Sequence, residues 1–346
     1  MDNDYLRVNS KSDDEEIVTS EYDITKEEVV VEEQKKLTVM GILFSGRKKY
    51  GKSLSVPLPT FKGCFTVFLI VSFVTVFLLF IALITKTAEY FIIDALLISV
   101  LFPISAITLF NDLNTKKNVR LSEIICAVVC GMFAYLLICF INNYLTSILT
   151  EVKAIGTLIT TVFTDAFLFF LAFLYIKLVK KDDMFAAILI CVSIYAGYLV
   201  MYTADSLIDS LCVSVTVLSG ELRAIVFNGE TNEFGRSANA YVRNIVSDGI
   251  LYPLLSICWA TIYAGVIGLT ALPFREVREH RMTYTLFLII QIVLHIISNF
   301  TSTLRFYNVL ISSLCLIFSL FCAIRMLNYA LSKTNLLTPT EAENVS

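Results

Sequence analysis

Ionisable side chains are rare inside the long apolar runs of this sequence, and they mark where chemistry would sit. Asp94, Asp165, His295 and Arg325 fall within such runs, and Asn299 follows His295 by four positions. If the runs cross lipid, a charge there is costly and is a functional candidate by default. Asp165 and His295 each lie about ten residues into their runs, which puts both near mid-depth. They could pair across a bundle, or each could be satisfied singly by a neighbouring helix or a water. Paired, a carboxylate and an imidazole would suit a proton relay. Asp94 lies near the start of its run, and Arg325 is close enough to an end to snorkel. His295 and Asn299 share one helical face. That spacing serves catalysis or helix-to-helix hydrogen bonding equally well.

Other chemistry is excluded by what is missing. The chain contains no GxxxxGK[ST], HExxH or GxSxG, and its two histidines are His280 and His295. Zinc takes several His, Cys or carboxylate ligands, and no spacing supplies them around His295. No cofactor is expected. The nine cysteines include no CxxC pair, and nearly all fall in or beside apolar runs, so no disulfide framework is expected.

The elements that must position these residues follow from composition. Of 346 residues, 57% are hydrophobic and 16% charged, against about 45–50% and 25% in soluble proteins. A net charge of −3 offers no field for nucleic acid. The surplus apolar residues form runs of about 20, the length a bilayer requires. They occupy residues 61–85, 89–110, 121–144, 155–179, 184–204, 249–273, 282–303 and 306–331. The expected fold is an all-α polytopic transmembrane bundle of about eight spans, with the lipid bilayer as its partner. Lys116, Lys117 and Arg120 follow the second run, Lys177, Lys180 and Lys181 the fourth, and Arg275, Arg278 and Arg281 the sixth. Alternate loops are therefore basic, which puts both termini in the cytoplasm.

Outside this 61–332 domain, residues 1–36 form an acidic tail expected to be disordered. Its clusters Asp13–Glu16 and Glu32-Glu33 either solubilise the tail or bind a basic cytoplasmic partner. Residues 37–60 join an apolar stripe (Leu37, Met40, Leu43, Phe44) to a basic cluster (Arg47, Lys48, Lys49, Lys52), as in a segment lying on an anionic leaflet. Residues 333–346 form a short second tail. The outer connection 205–247 contains apolar stretches from Leu211 to Leu218 and from Leu222 to Phe227, which read as a re-entrant or interfacial segment.

The order of several motifs carries a resemblance. Phe102-Pro103 leads to Asn111-Asp112, and Cys130-Gly131 supplies a small-residue turn. Phe163-Thr164-Asp165-Ala166-Phe167-Leu168 comes next, followed by Gly197-Tyr198 with Tyr202-Thr203. Arg243 precedes Ile257, Thr261 and Gly265, and His295 and Asn299 close the series as HxxxN. This layout, over roughly residues 90–303, resembles the PrsW family of intramembrane metalloproteases in the CPBP-type superfamily. The resemblance implies a membrane-buried site with His295 as candidate metal ligand and Asp165, His295 and Asn299 as candidate catalytic residues, with zinc as the metal of an active member. Thr164-Asp165 stands where the family has two glutamates, Tyr202 replaces another carboxylate, and Ile257 replaces a histidine. A member so altered is expected to be inactive, holding transmembrane segments or a membrane partner without cutting them. A small-solute or ion permease built on Asp165 and His295, and a protease with an unusual ligand set, are the other readings.

Overall fold

The computed structural model describes residues 62–336 except 86–87, 115–116, 149–152, 182, 212, 218–219, 225–240, 272–276 and 302–306. The acidic tail 1–36, the basic segment 37–60 and residues 337–346 lie outside the described residues. Among the described residues eight helices follow one another: α1 Lys62–Thr85, α2 Ala88–Leu113, α3 Leu121–Ile148, α4 Lys153–Val179, α5 Met184–Leu211, α6 Tyr252–Ala271, α7 Val277–Thr301 and α8 Tyr307–Leu336. A π-helical turn, Ile245–Leu251, leads directly into α6. The protein is a multi-pass membrane protein. Among the described residues seven stretches are long and apolar enough to cross a bilayer, whereas the apolar part of α7 is the shorter Leu288–Ser298.

Apolarity alone does not order these helices, because lipid and protein interior are equally apolar. Side-chain size does. Helix α5 is the centre, with 89% of its membrane window buried, against 28% for α4 and 11% for α1. It packs on α2, α3 and α6; α1 leans on α2, and α8 on α6. Helices α4 and α7 touch each other and complete the wall. The core helix reads MFAAILICVSIYAGYL over residues 184–199, where small residues recur on a face that must admit neighbours.

The closest approach is between α3 and α5. A Cβ built on Gly131 would lie 1.9 Å from the Ile194 carbonyl oxygen, and one on Gly197 would lie 1.9 Å from that of Val128. Only glycine lets the two backbones touch on both sides. Gly131 therefore sits within a continuous helix, not in a turn, and its small size serves packing.

Two polar knots fix the helix ends. Lys181 Nζ pairs with Glu123 Oε2 at 3.1 Å and donates to the Asn118 carbonyl at 2.6 Å, tying the end of α4 to the start of α3. At the head of α1, the Cys64 amide donates to Asp112 Oδ2 at 3.3 Å. A carboxylate there meets the positive end of the helix, so Asp112 has a structural task.

The connection after α5 differs from the sequence reading. Helix α5 continues to Leu211, with Leu207 and Leu211 buried, so the first part of segment 205–247 belongs to the bundle. Val213–Val217 and Gly220–Ala224 then pair as an antiparallel hairpin. The VSVTV of the first strand alternates with period two, the signature of a strand.

Candidate functional site

Helices α4 and α7 bring Asp165 and His295 together. Asp165 Oδ2 lies 2.5 Å from His295 Nδ1, and both side chains are buried. The inward face of α7 repeats polar residues at helical spacing: Gln291, His295 and Ser298 are all buried. Leu286, Ile289, Val293 and Ile297 occupy its exposed face. The polar stripe thus turns inward and the apolar stripe outward, as lipid demands.

The imidazole is held on its flat side as well as its edge. The Trp259 ring lies 3.8 Å from it at 36°, and the Trp259 indole N–H donates to Ser319 Oγ at 3.3 Å. Ser319 comes from α8, so three helices fix the ring. With Nδ1 committed to the carboxylate, Nε2 is buried and has no partner. A carboxylate that orients an imidazole in this way leaves the second nitrogen free to take or give a proton.

Tyrosines surround the pair. Tyr195 and Tyr263 have ring centroids 6.1 Å apart, and the Tyr263 hydroxyl is near the Asp165 carboxylate without closing a hydrogen bond within 3.5 Å. Tyr252 lies 6.3 Å from His295 and 4.5 Å from Tyr202, which stacks on Tyr198 at 6.0 Å. Tyr198 in turn meets Tyr135 at 5.7 Å, and the Tyr135 hydroxyl donates to Asp205 Oδ2 at 2.5 Å. Asp248, in the π-helical turn, accepts from Ser206 Oγ at 2.5 Å.

The other sequence candidates are elsewhere. Asp94 is wholly buried in an apolar cluster with Phe91, Ile98, Leu207 and Tyr241. The Tyr241 hydroxyl donates to Asp94 Oδ2 at 3.0 Å and approaches the Phe91 carbonyl at 3.2 Å. Asp94 thereby pins the start of the Tyr241–Gly268 span to α2. Arg325 is exposed, its guanidinium 5.3 Å from the Phe321 ring centre. The side chain of Asn299 lies outside the described residues. Of the positions that carry the resemblance, Thr164 accepts from Asn142 Nδ2 at 3.5 Å, and Thr261 Oγ1 bonds back to the Ile257 carbonyl at 2.9 Å. A Cβ on Gly265 would lie 2.3 Å from Met326 Sδ, so that glycine admits α8.

Among the described residues no group of three or more His, Cys, Asp or Glu side chains could hold a metal ion. Asp165 and His295 are bonded to each other, and their remaining neighbours are rings and hydroxyls, which suit zinc poorly. Compared with protein-family models, curated proteins and solved structures, the chain matches none.

The sequence reading missed Trp259 and the tyrosines. Their spacing carried a signal: Tyr195, Tyr198 and Tyr202 fall at i, i+3 and i+7, and Tyr252, Trp259 and Tyr263 at i, i+7 and i+11. Each set draws one face of a helix.

Proposed function

We propose that the protein is a membrane-embedded PrsW-like pseudoprotease, a scaffold that binds transmembrane segments or a membrane partner without cutting them. The observation behind this reading is the contact between Asp165 and His295. Two positions that carry the resemblance meet at one interior site, from helices 130 residues apart in sequence. Trp259 covers the imidazole there, and no third metal-binding side chain joins it among the described residues. The seam between α4 and α7 is closed by this pair, and both helices keep exposed apolar side chains on either side of it, among them Val162, Phe170, Ile289 and Val293. A transmembrane segment would lie along that seam. Counting α7 as an eighth crossing keeps both termini in the cytoplasm and the basic loops on that side.

A photo-crosslinking residue at Ile289, which is exposed on α7, tests this in native membranes. The expected product is a crosslink to a membrane protein that stays intact, from a chain carrying well under one zinc. Stoichiometric zinc that is lost on His295→Ala, together with cleavage of the captured partner, would restore the protease reading. The second reading, a permease for a small solute or ion, is favoured by the ionisable pair buried at mid-depth. Solute uptake by proteoliposomes that is abolished by Asp165→Asn would support it over the scaffold.

A further inference from the structure

We propose that the buried Asp165–His295 pair exchanges protons with one face of the membrane along a row of tyrosines that ends at Asp205. This inference does not depend on what the scaffold binds. The row runs His295, Tyr252, Tyr202 and Tyr198, Tyr135, Asp205, with each ring in contact with the next. One of its links is closed by a hydrogen bond, which Tyr135 donates to Asp205, and the hydroxyls of Tyr198 and Ser256 lie close to that of Tyr252. The remaining links need a bridging water or a rotation of the phenols.

The row joins the interior to the surface: His295, Tyr198 and Tyr135 are buried, Tyr252 and Tyr202 are half-buried, and Asp205 is exposed. From the level of Tyr195 to Asp205 is ten residues of α5, about 15 Å at 1.5 Å per residue. Phenylalanine would pack as well as tyrosine against these neighbours. Four tyrosines on three helices therefore place hydroxyls where a bilayer protein otherwise avoids them. A hydroxyl both donates and accepts, which a relay requires of every member.

The transfer balances without any co-reactant. A proton from water protonates Asp205, which passes it to the Tyr135 oxygen as Tyr135 releases its own proton onward. Each hydroxyl along the row forms one O–H bond and breaks one. The last proton goes to His295 Nε2, the ring nitrogen with no partner. The imidazolium that results keeps its Nδ1 contact with the Asp165 carboxylate. The groups facing Asp165 are His295 from α7, Tyr195 and Tyr198 from α5, and Tyr252 and Tyr263 from the Tyr241–Gly268 span. All but His295 are phenols, so His295 is the acceptor.

Time-resolved infrared spectroscopy on oriented proteoliposomes tests the path. The imidazole and carboxylate bands are assigned by their loss in His295→Gln and Asp165→Asn. A pH step on the face that carries Asp205 should change these bands, and a step on the opposite face should not. Tyr252→Phe, Tyr135→Phe and Asp205→Asn should each slow the response at least tenfold. Tyr175→Phe, which lies off the row and donates to the Glu123 carbonyl, should respond like the unaltered protein. Band changes at the same rate in Tyr252→Phe and Asp205→Asn, or a response from the opposite face alone, would overturn the proposal. Asp205→Asn leaves every ring in place, so the test survives if a tyrosine variant fails to fold. The crosslink at Ile289 is scored separately, and neither result decides the other.

Discussion

Replacing His295 with alanine removes half of a buried pair, and the outcome depends on what is left behind. When His295 is protonated, its charge and that of Asp165, 2.5 Å apart, attract by roughly 7 kcal/mol at an effective dielectric constant of 20. Desolvation offsets several kcal/mol for each ion, so the intact pair adds little net stability. Breaking it is another matter. The Asp165 carboxylate would stay buried without its partner, at a cost of about 3–5 kcal/mol. Trp259 would also lose the ring that lies 3.8 Å away. Asp165→Asn keeps the side-chain shape but removes the charge that needs His295. In that background His295→Ala should cost about 2 kcal/mol less than it does alone, a coupling typical of groups in contact. Reversible unfolding of the four proteins in bicelles, driven by an anionic detergent, measures the cycle. Additivity to within about 0.5 kcal/mol would mean that the two groups do not interact, and the reasoning would fail.

Gly197→Ala should destabilise the bundle by about 1–3 kcal/mol or more, because its Cβ would meet the Val128 carbonyl oxygen at 1.9 Å. The same unfolding assay checks it, and a cost below about 0.5 kcal/mol would refute the close crossing of α3 and α5. Tyr241→Phe leaves the buried Asp94 without its donor at 3.0 Å and should cost about 1–3 kcal/mol. Tyr90→Phe, at an exposed position of the same helix as Asp94, should stay within about 0.5 kcal/mol of the parent. Reporter fusions after residues 117, 181 and 278 should report the cytoplasm, and fusions after 151 and 233 the other side. Finding 117 and 181 on opposite faces would refute the topology.

How far the sequence could be read varied with the kind of signal. Run length and composition were enough for a multi-pass helical bundle, since little else accommodates runs like residues 61–85. Asp165 and His295 stood out because ionisable groups inside such runs are few. What could not be read was which helix lies in the middle. Helices α1 and α5 are both apolar, yet one is 11% buried and the other 89%. Lipid and protein interior accept the same side chains, so apolarity does not separate them. The strand pairing at Val213–Ala224 was not foreseen because its valines were weighed for hydrophobicity and not for their alternation. The π-helical turn before Tyr252-Pro253 has no sequence signature of its own. Proline lacks an amide hydrogen and disturbs the ladder, but where the extra residue is absorbed depends on the surrounding packing.

The enclosure of α5 has a consequence for biosynthesis. Part of what covers it, α6 and α8, leaves the ribosome after it. Its apolar sequence lets it enter the bilayer unaided, so insertion and assembly are separate events. Until α6 follows, the face of α5 that carries Tyr195 and Tyr202 lies against lipid, with hydroxyls that lipid cannot satisfy. A chain ending near residue 211 would be fully inserted yet would expose that polar face within the bilayer. Such a chain is a quality-control substrate, recognised by its bare keystone helix and not by any unfolded loop.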